Sequence, residues 1–210
     1  MTNKTGQPLP DFTVDLLQGG SWQSKDQPSE QMILLVVYRG MWCGHCKHQL
    51  QSLERLYEQF AERGVEIVAV SADTENRARE MAVDYGLSKL SVGYQMPISS
   101  AREMGVFISK QEKEIEMPLF CEPASFLINK EGNIQAAWIA SNAFARTSAS
   151  PLRKTSIYTG SSGSESNAQN RAQLKKGTYE SPLKRFARQN EGNVLSSGDS
   201  TSNLGSLNDR

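Results

Sequence analysis

The chain has 210 residues, 38% of them hydrophobic, and its 23 basic side chains balance its 23 acidic ones. That length suits one ordinary domain with an appendage, and the low apolar fraction implies that part of the chain adds nothing to a core. Zero net charge lacks the electrostatic footprint of a nucleic-acid or membrane-surface binder; the longest apolar run, Met32 to Tyr38, is far short of the about 20 residues that cross a bilayer.

In chain order, Phe12 to Leu17 alternates loosely and runs into Gln18-Gly19-Gly20-Ser21, a hairpin-type turn. Met32 to Tyr38 is continuous, apolar and partly β-branched, the pattern of a strand buried on both faces. A helix is expected from about Gly44 to Arg63, with Leu50, Leu53, Leu56, Tyr57 and Phe60 forming one stripe and Gly64 ending it. Val65 to Val70 is a second buried strand. Asp73 or Thr74 can cap a helix that runs to about Tyr85 and ends at Gly86. A short strand near Ser91 to Gln95 and a short helix near Ile98 to Met104 follow. Ser125 to Ile128, a turn at 129–133, and Ile134 to Ile139 read as an antiparallel hairpin. Alternating strands and helices closed by a hairpin imply an α/β fold, a mixed central sheet flanked by helices.

The pattern stops at Arg146. Ser, Thr, Gly, Asn and charge dominate the rest, with nine Lys and Arg against five Asp and Glu. The expected organisation is one domain over residues 1–146 and a low-complexity, disordered tail over 147–210. The polar start of the chain has no apolar stretch of the signal-peptide kind, and three cysteines make no disulfide framework, so the expected location is cytoplasmic.

The chemistry candidate is Trp42-Cys43-Gly44-His45-Cys46-Lys47, at the junction of a buried strand and an amphipathic helix. A sulfur at a helix N-terminus faces unpaired N–H groups and the positive end of the helix dipole, which stabilise a thiolate. The expected nucleophile is Cys43; Cys46, one turn further in, can resolve a mixed disulfide, and His45 can add positive charge. Two other readings compete. Cys43, His45, Cys46 and His48 could ligate zinc or copper(I), although no second pair completes such a site. The cysteines could also be inert and buried. Covalent haem attachment needs His directly after the second Cys, where this chain has Lys47.

Three stretches resemble the redoxin superfamily, which includes thioredoxins, protein disulfide isomerase domains and the alkyl hydroperoxide reductase/thiol-specific antioxidant proteins. Leu9-Pro10-Asp11-Phe12 with Gly20-Ser21 is similar to the N-terminal hairpin of the peroxiredoxin-like branch. Trp42 to Lys47 resembles the disulfide isomerase active site. Glu122-Pro123-Ala124-Ser125-Phe126 onward is similar to the cis-proline strand and hairpin. The resemblance covers about residues 7–146 and implies a thioredoxin-like fold, with Pro123 cis and shaping a substrate groove beside Cys43; the other reading of Pro123 is a trans proline that opens an edge strand. It also implies a closing amphipathic helix after 142–146, which the sequence pattern does not show.

With Cys46 aligned on the peroxidatic cysteine, the peroxidase positions depart: Arg39 stands for Pro, Cys43 for Thr and Pro123 for the later Arg. Arg39 is a candidate substitute for that Arg. Thioredoxins also carry a buried Asp beneath the cysteines; the strand from Met32 has none, leaving Glu122 or water to move the proton. Cys121 is either a third, resolving thiol or a buried small hydrophobe. Trp42 is a candidate to shield the pair from solvent or to cap the core, two compatible roles.

The expected function is a thiol–disulfide oxidoreductase acting on protein or small-molecule disulfides. The alternatives are a thiol peroxidase acting on peroxide and a non-catalytic interaction module. No organic cofactor and no metal are expected; a reductant such as thioredoxin or glutathione would be the redox partner.

Overall fold

The computed structural model describes residues 5–25 and 31–159. Its elements are β1 (Thr13–Leu16), β2 (Ser21–Gln23), β3 (Met32–Val37), α1 (Gly44–Ala61), β4 (Val65–Val70), α2 (Glu75–Tyr85), β5 (Ser91–Tyr94), α3 (Ile98–Glu103), β6 (Ile108–Lys110), β7 (Leu119–Cys121), β8 (Ala124–Ile128), β9 (Ile134–Ile139) and α4 (Ala149–Thr159). Seven strands form one sheet in the order β2-β1-β5-β4-β3-β8-β9, and β6 pairs with β7 apart from it. The sheet is mixed as expected: β3–β4 and β4–β5 are parallel, and the other pairs are antiparallel.

β3 lies between β4 and β8, and every residue in it is buried, which is why its sequence shows no alternation. The alternation reappears in what each side chain packs against. Met32, Leu34, Val36 and Tyr38 join one core with α1, α2 and α4, through residues such as Leu53, Met81 and Leu152. Ile33, Leu35 and Val37 join another with Phe12, Trp22, Met104 and Phe126. The two faces of the sheet therefore carry separate cores.

α1 buries Leu50, Leu53, Tyr57 and Phe60, with Leu56 half-buried at the edge of the stripe. Gly86 caps α2 in the left-handed conformation, φ 67°, as a helix-terminating glycine does. Thr74 occupies the N-cap of α2 but makes no side-chain cap bond; Asp73 is used elsewhere, as described below.

Three elements were not legible in the sequence. The β6–β7 pair is only three residues on each strand, too short for a period to show. α4 contradicts the expectation that structure ends at Arg146. It packs on α1, and among its residues 149–154 Ala149 and Leu152 are buried. The closing helix implied by the redoxin resemblance is thus present. The expected disorder of the remaining tail concerns residues outside those described.

Candidate active site

Everything at the site follows from how the chain leaves β3 and enters α1. After Tyr38 the backbone turns at Gly40, φ 154°, and a Cβ there would come within 2.1 Å of the Trp42 ring. Only glycine permits this approach. The turn is clamped at Met41: its N–H donates to the Asp73 carboxylate at 2.8 Å, and its carbonyl accepts the Tyr85 hydroxyl at 2.5 Å. Asp73 is fully buried and also pairs with Arg77 at 3.0 Å; burial raises its pKa, opposed by those two partners. Trp42 is packed edge-on against Phe120, with the Arg77 guanidinium over its ring at 5.1 Å.

Cys43 is the N-cap of α1, with extended backbone, and its Sγ accepts the Cys46 N–H at 3.3 Å. A sulfur in this place takes the bond that Ser or Asp oxygen makes at an ordinary N-cap. The Arg146 guanidinium donates to the same Sγ at 3.5 Å. The Cys46 thiol and N–H, and then Arg146, bring the Cys43 pKa down to about 5 against the opposing cost of burial. Cys46 is fully buried; burial, and then its neighbour Cys43, push its thiol well above the usual value. Both cysteines are free thiols. The expected division into one ionised and one protonated sulfur is therefore built into the start of α1.

Cys43 opens onto a groove of about 360 Å³ lined also by Arg39, Trp42, Gly44, His45, Glu112, Lys113, Glu116, Glu122 and residues 142–144. His45 is exposed, and its ring meets Phe144 at 4.8 Å. Arg39 faces Glu116 at 3.7 Å and Glu122 at 3.5 Å and lies over Phe120 at 4.7 Å. Among the described residues no group of three His, Cys, Asp or Glu side chains could hold a metal ion, and no helix is long and apolar enough to cross a membrane.

Residues 5–137 match the family model described as AhpC/TSA family. The chain belongs to the AhpC/TSA family. Among AhpC/TSA relatives, the thiol-disulfide oxidoreductase ResA of Bacillus thuringiensis (strain Al Hakam) is 31% identical over 134 residues, 61% of this chain and 66% of its own length. The chain thus spans just under two thirds of the curated relatives it matches. Among solved structures, Enterococcus faecalis AhpC has a TM-score of 0.63 at 22% identity, covering 77% of this chain and 97% of that one. Reduced Plasmodium vivax 2-Cys peroxiredoxin has 0.61 at 18%, covering 75% and 96%. These likenesses establish the thioredoxin-like fold.

The AhpC/TSA fold brings Arg39, Trp42, Cys43, Gly44 and His45 to one groove and sets Cys46 beneath it. Pro123 is not there. It is buried, its carbonyl accepts the Ala140 N–H, and its preceding neighbour Glu122 lines the groove instead. No peptide bond among the described residues is cis, so the expected cis Glu122–Pro123 bond is corrected to trans. Nor does Pro123 open an edge strand: β8 is paired on both sides. Glu122, a candidate proton carrier, accepts the Ser109 hydroxyl at 2.7 Å and faces Arg39. Cys121 lies in the core on the opposite face of the sheet from Cys43 and Cys46, fully buried, its pKa pushed up to about 12 by burial and then by Glu122. Sequence reasoning missed Arg146, Asp73 and Gln49, the last a buried residue whose amide donates to the Thr147 carbonyl. Asp73 falls outside the strand in which an Asp was sought, and Arg146 at the point where the pattern ended.

Proposed function

We propose that this chain is a thiol–disulfide oxidoreductase with Cys43 as attacking and Cys46 as resolving sulfur. The observation that carries the reading is the asymmetry of the two sulfurs: one ionised at a helix N-terminus on a groove, the other protonated and buried one turn below. The Cys43 thiolate attacks one sulfur of the partner's disulfide; that S–S bond breaks, a mixed disulfide forms and one partner sulfur leaves as thiolate. Attack uses up the Cys43 charge, which removes part of what holds the Cys46 proton. Cys46 then gives its proton to water and attacks the Cys43 sulfur, so that the Cys43–partner bond breaks and the second partner sulfur leaves as thiolate. The partner gains two electrons, the enzyme ends as the Cys43–Cys46 disulfide, and an external dithiol such as thioredoxin, or glutathione, restores it. Membership of the AhpC/TSA family and similarity to the ResA thiol-disulfide oxidoreductase support this reading.

The groove supports a protein segment as substrate, because it is open, polar along one wall and aromatic at Trp42 and Phe144. A cytoplasmic site of action belongs to the same reading, supported by the odd count of three cysteines. The peroxidase alternative loses support at Arg39, whose charge is met by Glu116 and Glu122. The interaction-module alternative leaves the ionised, groove-facing Cys43 without a use.

The test is reduction of insulin disulfides under excess dithiothreitol, with hydrogen peroxide consumption measured beside it. Disulfide turnover that vanishes in Cys43→Ser, together with a mixed disulfide trapped by Cys46→Ser, supports the oxidoreductase. Peroxide reacting with Cys43 far faster than with free cysteine, and no trapped mixed disulfide, replaces it with the peroxidase. No activity toward either substrate leaves the interaction module.

A further inference from the structure

We infer that Arg146 is a catalytic residue of this dithiol site: its guanidinium is the counter-ion of the Cys43 sulfur, delivered by the turn that leads into α4. The inference rests on the oxidoreductase reading for which sulfur attacks, and it adds the cation that keeps that sulfur ionised below neutral pH.

The geometry is specific. Asn142 Oδ1 accepts the N–H groups of Phe144 and Ala145 at 2.9 and 3.2 Å, folding the chain back across the N-terminus of α1. Arg146 then spreads its donors over three acceptors: Nε to the Ala143 carbonyl at 2.9 Å, Nη1 to Gln49 Oε1 at 3.3 Å, and Nη2 to Cys43 Sγ at 3.5 Å. Gln49 is buried and completes the bracket by donating from Nε2 to the Thr147 carbonyl at 3.0 Å. It belongs to α1, as does Cys46, so the helix that presents the sulfurs also aims the guanidinium. Beyond the bracket, Ala149 and Leu152 anchor α4 in the core and fix where the turn can go.

Charge decides the role. Arg146 is half-buried, and among the described residues no carboxylate lies within ion-pair distance of it. Its other two acceptors, a carbonyl and a side-chain amide, are neutral. A cation removed from water needs an anion, and the groups here that can become one are the two cysteine sulfurs, of which Cys43 is the one brought down and Cys46 the one pushed up. The other nearby guanidinium in the groove, Arg39, is taken by Glu116 and Glu122. In the disulfide form the anion is gone and Arg146 faces neutral acceptors alone. The pairing therefore favours the dithiol over the disulfide and makes the pair a better oxidant.

The experiment is a pH titration of the reduced full-length chain, following thiolate absorbance at 240 nm and the alkylation rate of Cys43 by iodoacetamide. Wild type is compared with Arg146→Gln, Arg146→Lys and Gln49→Leu. Arg146→Gln is expected to move the Cys43 midpoint up by at least one unit, so that the thiolate fraction near pH 5 falls about fivefold or more, and to reach full ionisation again by pH 9. Its equilibrium with glutathione is expected to shift about tenfold toward the disulfide. Arg146→Lys keeps the charge and shifts less; Gln49→Leu moves the midpoint in the same direction by a smaller amount. A purely structural Arg146 would lower the rate equally at every pH without moving the midpoint, and that result overturns the inference. If Arg146→Gln fails to fold, Arg146→Lys and Gln49→Leu decide it: unchanged midpoints in both overturn it. Loss of activity in Cys43→Ser alongside an unmoved Arg146→Gln midpoint would sink this role and leave the oxidoreductase reading standing.

Discussion

The two faces of the sheet hold cysteines of opposite character. On one face, Cys43 caps α1, accepts an amide N–H and touches a guanidinium, and its thiol is brought down to about 5. On the other, Cys121 ends β7 within an apolar core, next to Glu122, and its thiol is pushed up to about 12. The residue type is the same and the chemistry is not. Position relative to a helix end and to charge separates a nucleophile from a packing group. Cys46 shares the helix with Cys43 but lies one turn deeper, where burial and then the neighbouring Cys43 push its thiol well above the ordinary value.

The sharpest break in this contrast is to remove one sulfur at a time. Cys43→Ser is expected to abolish disulfide reduction, with insulin precipitation falling to the rate without enzyme. Cys121→Ala, on the opposite face, is expected to leave turnover unchanged. A Cys121→Ala variant with impaired turnover and intact folding would mean that the faces communicate chemically.

The next largest effect concerns what seals the reactive face. Leu152→Ala deletes the main buried anchor of α4 and is expected to cost roughly 2 kcal/mol, at the low end for a buried leucine because a terminal helix can resettle. A lowering of Tm by roughly 4–8 °C in calorimetry checks it. Gly40→Ala is expected to cost about 1–3 kcal/mol, since the added methyl meets the Trp42 ring and both must move. It should also slow turnover by displacing the loop before Cys43, whereas Cys121→Ala should cost about 1 kcal/mol and no activity.

The remaining effect is a pH dependence. The folded pKa of Cys43 is depressed, so its contribution to the stability of the reduced domain is fully present above the ordinary thiol value. It shrinks as pH falls and is lost through about 5. Cys121 is the opposite case: its raised pKa opposes ionisation, so it costs stability only as pH climbs above the ordinary thiol value. Urea denaturation of the reduced chain should show wild type, and Cys121→Ala with it, losing stability relative to Cys43→Ser as pH is taken from 9 to 5.

Much of this was legible in the sequence, for physical reasons. β3 and β4 are interior strands buried on both faces, so their residues read as unbroken apolar runs, and α1 has enough turns for its stripe to show. The cysteine pair was legible because a strand followed at once by an amphipathic helix places Cys43 at a helix start. What was not legible depends on single contacts. Arg146 reaches Cys43 across 103 positions of chain, through an Asn142 turn and a Gln49 bracket that no periodicity announces. Asp73 acts through one amide, Met41. α4 escaped because it begins within a stretch rich in Ser, Thr and Pro, where Ala149 and Leu152, both buried, announce no period. Pro123 misled because a proline before a strand is compatible with either peptide isomer and the side chain that lines the groove is its neighbour's.

The most direct test of the central claim, that the two sulfurs of the pair are unequal and Cys43 attacks, is to alkylate the fully reduced wild-type chain at pH 6 with a limiting amount of iodoacetamide. Mass spectrometry then locates the label. Label on Cys43 alone, with Cys46 and Cys121 unmodified, is the predicted result. Label appearing first on Cys46, or divided evenly between Cys43 and Cys46, would contradict it.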